Sequence, residues 1–460
     1  MNNEYSQSIS EFLSETAPLM EQLDILPLDA ATELYDLLDE AANTAIAHIS
    51  MIDPELRVEL CIRLDLVIER IVDVLPPYRH SGSPVKIFTP AIQFYSKWEN
   101  VNLMKDCGLM GYMLAKELNA IPVMYFASKP ENYPYLSILP QMEMLYTDSE
   151  FCTADTYYEH LKASYADMDV LLIYGLYSHA IGYLDVYRKL RPDGKVYCGL
   201  DMNSWWMSNT PWDSLEARNF AEQCDIIATS CRQMRDALNR NPQVHFPCRW
   251  LTNGFYNPTD VPVIADPDKK ENILLTVGRI GTFQKNNEEM LTAFAEVSSV
   301  LEGWSLRLVG SIEPEFQEYI SNYFVKHPHL KNRVIFTGSI MDKTDLYREY
   351  ARAKIFILSS RLEGGTPNVY AEALFHGCMF ITSDVDAADD IINYDELGAK
   401  YPIGDAGALA DVLVRTCKKA DRAGMRNHVP KALKYARQYF DWYRSAKKLA
   451  YMLFKKGPML

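Results

Sequence analysis

The 460-residue chain contains no run of about 18 apolar residues, so hydropathy offers no candidate membrane-spanning helix. Its first residues, MNNEYSQSIS, hold neither a basic leader nor an apolar core and do not read as a secretory signal. The nine cysteines are odd in number and include no close CxxC pair. That excludes a disulfide framework and a zinc ribbon, and the expectation is a reduced, cytoplasmic protein. Positive charge is in deficit: the net charge is −15, which argues against a general nucleic-acid binder. There is no low-complexity tract and no short-period repeat. After the stretch VKIFTPA no GxGxxG occurs with an acidic residue some twenty positions on, which weakens a dehydrogenase reading.

The length implies two or three domains, and the 48% hydrophobic content is that of a globular protein. Charge is unevenly placed. Residues 1–80 carry 16 Asp and Glu against 4 Arg, and residues 415–456 carry 13 Lys and Arg against 2 Asp. Three readings fit: two solvated faces, two ends that dock on each other, or a basic end that touches an anionic membrane surface or a phosphorylated acceptor.

Residues 1–80 read as a helical extension. Asp29–Ser50 and Asp53–Leu75 repeat Leu, Ile and Val at spacings of three and four, Pro54 suits a helix start, and Pro76-Pro77 ends the run. The extension is a candidate for oligomerisation or for a lid. From 85 onward, short β-branched or aromatic runs alternate with helical patterns. VKIFTPA (85–91), IPVMYFA (121–127), DVLLIYG (169–175), KVYCGLD (195–201) and CDIIATS (224–230) read as strands. So do ENILLTVG (271–278), WSLRLVG (304–310), RVIFTG (333–338), KIFILSS (354–360) and CMFITSD (378–384). Such alternation predicts α/β architecture with parallel sheets covered on both faces. Two doubly wound domains follow, 85–252 and 258–430, joined near Thr252-Asn253-Gly254. The remainder, 431–460, reads as an aromatic, basic C-terminal helix that crosses back to the first domain.

Two stretches of the second domain can carry chemistry. In VGRIGTFQKNNEEMLTAF (277–294), Arg279 and Lys285 stand in the loop after a strand, where ligands bind in open α/β sheets. Fixed cations there can stabilise a departing diphosphate. In SSRLEGGTPNVYAEALFHG (359–377), a Gly-Gly-Thr turn leads into a helix start near Pro367 or Asn368, whose free N–H groups favour an anion. Glu363 precedes that turn, where it can bond sugar hydroxyls. Glu372 lies about two turns into the helix, where it can accept from a ribose diol. Taken singly, each motif is also compatible with ordinary surface cations and a capped helix.

The block order VGR…K, LVG, VIFTGSI, SSRLEGG…NVYAEAL…G resembles the retaining glycosyltransferases of the GT-B fold, sequence family 4 (group 1). The resemblance is firm over about 270–400, loose over 85–255, and absent over 1–80. It implies two Rossmann-like domains facing a cleft, the donor on the second and the acceptor on the first. By resemblance, Arg279 and Lys285 hold the diphosphate, Glu363 the donor sugar and Glu372 the ribose. The turn and helix start, including Gly365, Thr366, Asn368 and Val369, touch phosphate, while Gly338 and Ile340 lie by the base. Eight residues separate the two glutamates where the family has seven, so the turn carries one residue more. In the first domain Gly108 and Gly111 match a glycine-containing loop that approaches the diphosphate, and the alternative is a helix start with a packing glycine. The family often has a histidine near the end of a middle strand. Asp201 stands at that place here, and His179 follows the preceding strand, so both are candidates to face the reaction centre. Trp205-Trp206 can stack on a sugar acceptor or belong to the core.

Asp167-Met168-Asp169 and Asp384-Val385-Asp386 are DxD triplets of the kind that hold a divalent cation in another glycosyltransferase fold. With Arg279 and Lys285 present, no metal and no cofactor is expected. The expected activity is hexosyl transfer (EC 2.4) from a nucleotide sugar, with retention, to a glycan, lipid-linked or protein acceptor. The expected place is the cytoplasm, with peripheral contact at the inner membrane face through the basic C-terminus. The competing reading is a non-catalytic, glycosyltransferase-like scaffold or partner subunit.

Overall fold

The computed structural model describes residues 4–76, 85–90, 100–126, 130–146, 154–176, 178–259 and 261–454. They fall into two units. The first comprises Met1–Thr252 with Trp442–Leu460, and the second is Asn253–Asp441.

The first unit opens with helices α1 (Glu4–Glu21), α2 (Leu28–Ala47) and α3 (Pro54–Val74). Asp53 caps α3 by accepting from the Glu55 N–H at 2.9 Å, and Pro54 occupies the first turn, where no N–H is needed. Leu34, Leu38 and Ala42 of α2 and Leu60, Leu64, Val67 and Ile71 of α3 are buried at helical spacing. The two helices read from sequence are α2 and α3, and α1 adds a third.

The chain then alternates: β1 (Lys86–Thr89), α4 (Asp106–Leu118), β2 (Ile121–Phe126), β3 (Glu143–Tyr146), α5 (Ala154–Tyr165), β4 (Val170–Tyr174), α6 (Ser178–Leu190), β5 (Lys195–Leu200), α7 (Ser204–Asn209), α8 (Leu215–Gln223), β6 (Ile226–Thr229), α9 (Arg232–Arg240) and β7 (Cys248–Trp250). These strands form one parallel sheet in the order β3-β2-β1-β4-β5-β6-β7. The N-terminal helices are bound into this unit, because α3 packs on α9 and β7. Asp65 of α3 pairs with Arg235 of α9, and Asp39 of α2 pairs with Arg249 of β7, all four groups buried.

The second unit repeats the pattern with β8 (Glu271–Val277), α10 (Asn287–Val297), β9 (Ser305–Val309), α11 (Phe316–Lys326), β10 (Val334–Gly338), α12 (Lys343–Arg352), β11 (Ala353–Leu358), α13 (Asn368–Phe375), β12 (Met379–Ser383), α14 (Ala388–Ile392), β13 (Gly398–Tyr401), α15 (Ala406–Lys419) and α16 (Arg422–Tyr439). Its sheet is parallel in the order β10-β9-β8-β11-β12-β13. Alternate residues of β11 serve opposite cores: Ile355 and Ile357 pack with Leu274, Leu308 and Ile381, while Phe356 and Leu358 pack with Leu275 and Phe380. A strand buried on both faces reads as an unbroken apolar run, which is why KIFIL is so plain in the sequence.

The single helix expected over the C-terminal segment is two. α16 ends at Tyr439, and α17 (Trp442–Phe454) begins after a break and belongs to the first unit. The break is fixed by Phe440, which is buried and accepts the Phe255 N–H at 2.7 Å. On α17, Lys448 and Arg444 pair with Glu69 of α3, and Arg444 also reaches Asp73 at 2.5 Å. Lys447 donates to the Val72 and Leu75 carbonyls at 2.8 and 2.6 Å. Of the three readings of the charge asymmetry, docking of the acidic and basic ends accounts for these residues. Among the described residues no helix is long and apolar enough to cross a membrane.

Candidate functional site

In the second sheet the strand order reverses between β8 and β11, and in open α/β sheets a ligand binds beyond the carboxyl ends of strands at such a reversal. The loops leaving these two strands are the two stretches singled out from sequence. Backbones crowd at the strand exits. The Gly278 N–H donates to Val309 O at 2.9 Å and the Gly310 N–H to Gly338 O at 3.0 Å. A Cβ on Gly310, whose φ is +147°, would collide with the Gly278 carbonyl oxygen. Glycine is therefore required there by space as well as by conformation.

The two loops meet through side chains. Lys285 Nζ lies 2.5 Å from Glu363 Oε1, and both side chains are mostly buried. Ser360 Oγ donates to the same oxygen, and Gln284 Nε2 donates to Glu363 Oε2 at 3.3 Å. Gln284 Oε1 accepts from Arg279 Nη2 at 3.0 Å, so Arg279 joins the cluster through Gln284. Arg279 itself is exposed. Arg361 binds the loops from the other side. Its N–H donates to Gln284 O at 2.8 Å, its Nη2 to Asn286 Oδ1 at 2.6 Å, and its guanidinium lies 4.9 Å from the ring of Phe283. Asn286 holds a left-handed conformation, φ 47°, at the start of α10.

The segment after Glu363 turns at Gly365, φ +90°, and enters α13 at Asn368. Thr366 is buried, and its carbonyl accepts from Asn253 Nδ2 at 2.8 Å. Among the described residues, the buried Asn368 Oδ1 finds no hydrogen-bond donor. Val369 follows on the first turn, where N–H groups have no partner within the helix. Four residues into α13, Glu372 is held by α12: Lys343 Nζ stands 3.4 Å from Oε1, and the Tyr350 hydroxyl donates to Oε2 at 2.7 Å. Lys343 and Tyr350 are seven residues apart and so share one helical face. Behind them His376 donates from Nδ1 to the Glu372 carbonyl at 2.7 Å and stacks on Tyr350. Burial lowers the His376 pKa from 6.5 to about 4. Gly338 ends β10 with φ +73° and open space around its Cα, and Ile340 packs against the core under α12 and α13.

The structure thus brings Arg279, Lys285 and Glu363 into one hydrogen-bonded cluster. Gly365, Thr366, Asn368 and Val369 form a continuous turn and helix start, and Glu372 sits in a separate pocket of partners. Gln284, Ser360, Arg361, Lys343 and Tyr350 were not singled out from sequence. The heptad spacing of Lys343 and Tyr350 was the one readable hint.

Gly108, Gly111, Asp201 and His179 belong to the first unit. Gly108 and Gly111 stand inside α4 and not in a loop. A side chain at Gly108 would strike the Leu103 backbone, and one at Gly111 would come within 2.9 Å of Thr89 Oγ1. Both therefore serve close packing. Asp201 follows β5 and is exposed. His179 lies on α6, its side chain outside the described residues. In each DxD triplet one carboxylate is engaged within the protein. Asp169 accepts the Lys86 N–H at 2.9 Å and pairs with Arg191, and Asp384 pairs with Lys400 at 3.0 Å. Among the described residues no group of three or more His, Cys, Asp or Glu side chains is placed to share a cation.

Residues 271–419 match the family model described as glycosyl transferases group 1. No curated protein sequence matches the chain. The fold is shared with solved structures. A glycosyltransferase from Rickettsia africae superposes with TM-score 0.61 at 12% identity, over 82% of this chain and 100% of that one. Anabaena Alr3699/HepE in complex with UDP and glucose gives 0.59 at 14%, over 81% and 100%. Sucrose-phosphate synthase from Thermosynechococcus elongatus gives 0.57 at 17%, over 81% and 99%. The fold is therefore GT-B with an added helical N-terminal region, and its second unit, over 271–419, is similar to the glycosyl transferases of group 1.

Proposed function

We propose that the protein is a glycosyltransferase that moves a hexosyl group from a nucleoside-diphosphate sugar to an acceptor hydroxyl with retention at the anomeric carbon. The observation that carries this reading is the cluster of Arg279, Lys285 and Glu363 at the strand-order reversal of the second unit, inside the segment that matches the family model. In the reaction the bond from the anomeric carbon to the diphosphate oxygen breaks, a bond to the acceptor oxygen forms, and the proton of the acceptor hydroxyl passes to the departing diphosphate. Negative charge gathers on the leaving diphosphate. Arg279 and Lys285 are the fixed cations that oppose it, together with the N–H groups of Gly365, Thr366, Asn368 and Val369 at the start of α13. Glu363, already oriented by Lys285, Ser360 and Gln284, accepts from hydroxyls of the donor sugar. Glu372 accepts from the ribose diol, with Gly338 and Ile340 beside the base. Because the cations take the electrophilic role, turnover needs no divalent metal and persists in EDTA.

A thermal-shift screen with nucleoside diphosphates and nucleotide sugars tests the donor site. A ligand at a hundredfold its Kd stabilises the native state by about 2.7 kcal/mol. At least one nucleoside diphosphate is expected to raise the melting temperature, and Lys285→Ala to abolish the rise. No rise with any of them would overturn the reading. Proton NMR of the first-formed anomer tests retention, and an inverted product would contradict it. Binding without turnover for every acceptor tried would instead make the protein a non-catalytic partner.

A further inference from the structure

The pairing of α17 with α3 leaves two helices of opposite charge unmatched. α2 carries five acids and no Lys or Arg, and α16 carries five Lys and Arg and no acid. They belong to different units. The first 56 residues contain no Lys or Arg at all, and the described arginines that follow are spent on backbone carbonyls. Arg57 donates to the Arg240 carbonyl at 3.0 Å, Arg63 to the Leu13 carbonyl at 2.6 Å and Arg70 to the Leu26 carbonyl at 2.8 Å.

On α2 the acids left at the surface form one face. Asp29, Glu33, Asp36 and Glu40 recur every three or four residues around exposed Leu37, and with Thr32 they line an open groove of about 390 Å³. Asp39, the fifth acid, is buried and paired with Arg249. Among the described residues, none of the four surface carboxylates has a cation or a hydrogen-bond donor. On α16, Arg426, Lys431, Lys434 and Arg437 are all exposed. Asp268 takes Arg426 and Glu396 takes Lys431, whereas Lys434 and Arg437 have no partner among the described residues. The two faces match in length as well as in sign. Asp29 to Glu40 and Arg426 to Arg437 are each 11 positions apart, about 16 Å of helix.

The chemistry of the faces narrows the occupant. Four adjacent carboxylates around one leucine suit a helix that presents several cations. A helix that lies on a membrane buries apolar side chains between its cations. Among the described residues no large apolar side chain is exposed between Ile403 and Tyr443, so α16 lacks what a lipid surface engages. An acidic helix suits it better. A second copy of this chain supplies both occupants at once. The net charge of −15 does not forbid it, because at about 0.15 M salt the Debye length is about 8 Å and remote charges are screened while facing ones are not.

We propose that the protein self-associates through α2 of one copy against α16 of another, with Asp29, Glu33, Asp36 and Glu40 facing Lys434 and Arg437. Each copy offers both faces, so the contact joins two different surfaces of the same chain. A face one helix wide is smaller than the roughly 800 Å² per partner of a stable complex, so the association is weak and falls with salt. Neither face holds a residue of the donor cluster, and the proposal stands whether or not the second unit binds a nucleotide.

Sedimentation equilibrium of the full chain tests this. At about 0.15 M salt the average mass should rise with concentration, and at about 1 M salt, where the Debye length is about 3 Å, the chain should be monomeric. Glu33→Lys with Asp36→Lys, or Lys434→Glu with Arg437→Glu, should raise the dissociation constant at least about tenfold, since like charges then face each other. Mixing the two doubly reversed chains puts opposite charges back at the contact and should restore association. All four sites are exposed, so circular dichroism and the melting temperature of each variant should stay close to the wild type. A wild type that stays monomeric at the highest attainable concentration, association that either reversal leaves unchanged, or a mixture no more associated than its parts would overturn the proposal. So would a monomer that co-sediments with phosphatidylglycerol vesicles and ceases to do so in Lys434→Glu with Arg437→Glu, which would give the basic face to a lipid surface.

Discussion

Both units are parallel sheets wrapped in helices, but they place their buried charges differently. In the first, Asp39 meets Arg249, Asp65 meets Arg235, and Glu69 meets Lys448 and Arg444. Each pair joins the N-terminal helices to the sheet, to α9 or to α17. In the second, Lys285 meets Glu363 and Lys343 meets Glu372 in loops and helix turns just beyond the strand exits. A charge pair sealed between helices has no task except to match its partner. A pair at a glycine-lined strand exit can exchange one partner for a ligand. The same residue types act as cross-ties in the first unit, whereas in the second they form both a cross-tie, Arg307 of β9 with Glu349 of α12, and a candidate binding site.

Substitutions can break that comparison, and the largest effect is expected in the first unit. Arg249→Ala leaves Asp39 buried without its cation, which should cost about 3–5 kcal/mol, read by urea denaturation. An unchanged midpoint would place Asp39 in contact with water.

Next in size, for a single side chain, is the pH response of the buried histidines of the second unit. Burial lowers the pKa values of His376 and His428 from 6.5 to about 4. Each is neutral when folded, donating to the Glu372 and Cys378 carbonyls at 2.7 and 2.9 Å. A folded pKa below the unfolded one gives stability that is full above about pH 6.5 and is lost as pH falls from there toward 4. The loss is on the order of 3 kcal/mol for each ring. Melting curves from pH 7.5 to 4.5 should fall through that window, and His428→Gln should flatten the fall. A flat profile in the wild type would contradict the assignment.

A smaller effect is expected at Arg361, which touches both loops of the candidate site and acts on Lys285 and Glu363 through them. It is a positioning residue. Arg361→Ala should raise KM for the nucleotide sugar about tenfold, the worth of one hydrogen bond to a charged group, and change kcat less. Arg361→Lys should recover part of the loss, and a fall in kcat alone would argue against positioning. The smallest effect belongs to Asp268, paired on the surface with Arg422 and Arg426. Asp268→Ala should leave the melting temperature nearly unchanged, since exposed pairs are screened by solvent.

The strands that were plain in sequence are those buried on both faces, such as LLIY in β4 and KIFIL in β11. The three that gave no signal, β3, β7 and β13, are sheet edges of three or four residues. EMLY, CRW and GAKY are too short and too polar to show a period. Arg279, Lys285 and Glu363 were legible because each sits in a loop that starts where an apolar run stops. Ser360, Gln284 and Arg361 lie in the same loops but bind through register and backbone direction, which composition does not encode. Trp205 and Trp206 were visible as residues, but their exposure depends on the cap at Asn203 and the anchor at Trp212, two contacts that only folding creates.

The central claim is that the cluster at the exits of β8 and β11 stabilises a departing diphosphate. The rate of nucleoside diphosphate release from the nucleotide sugar that shifts the melting temperature most, wild type against Lys285→Ala, tests it directly. Loss of one preorganised charge contact predicts a rate about a hundredfold lower at a temperature where circular dichroism shows the variant still folded. A Lys285→Ala rate near that of the wild type would contradict the account.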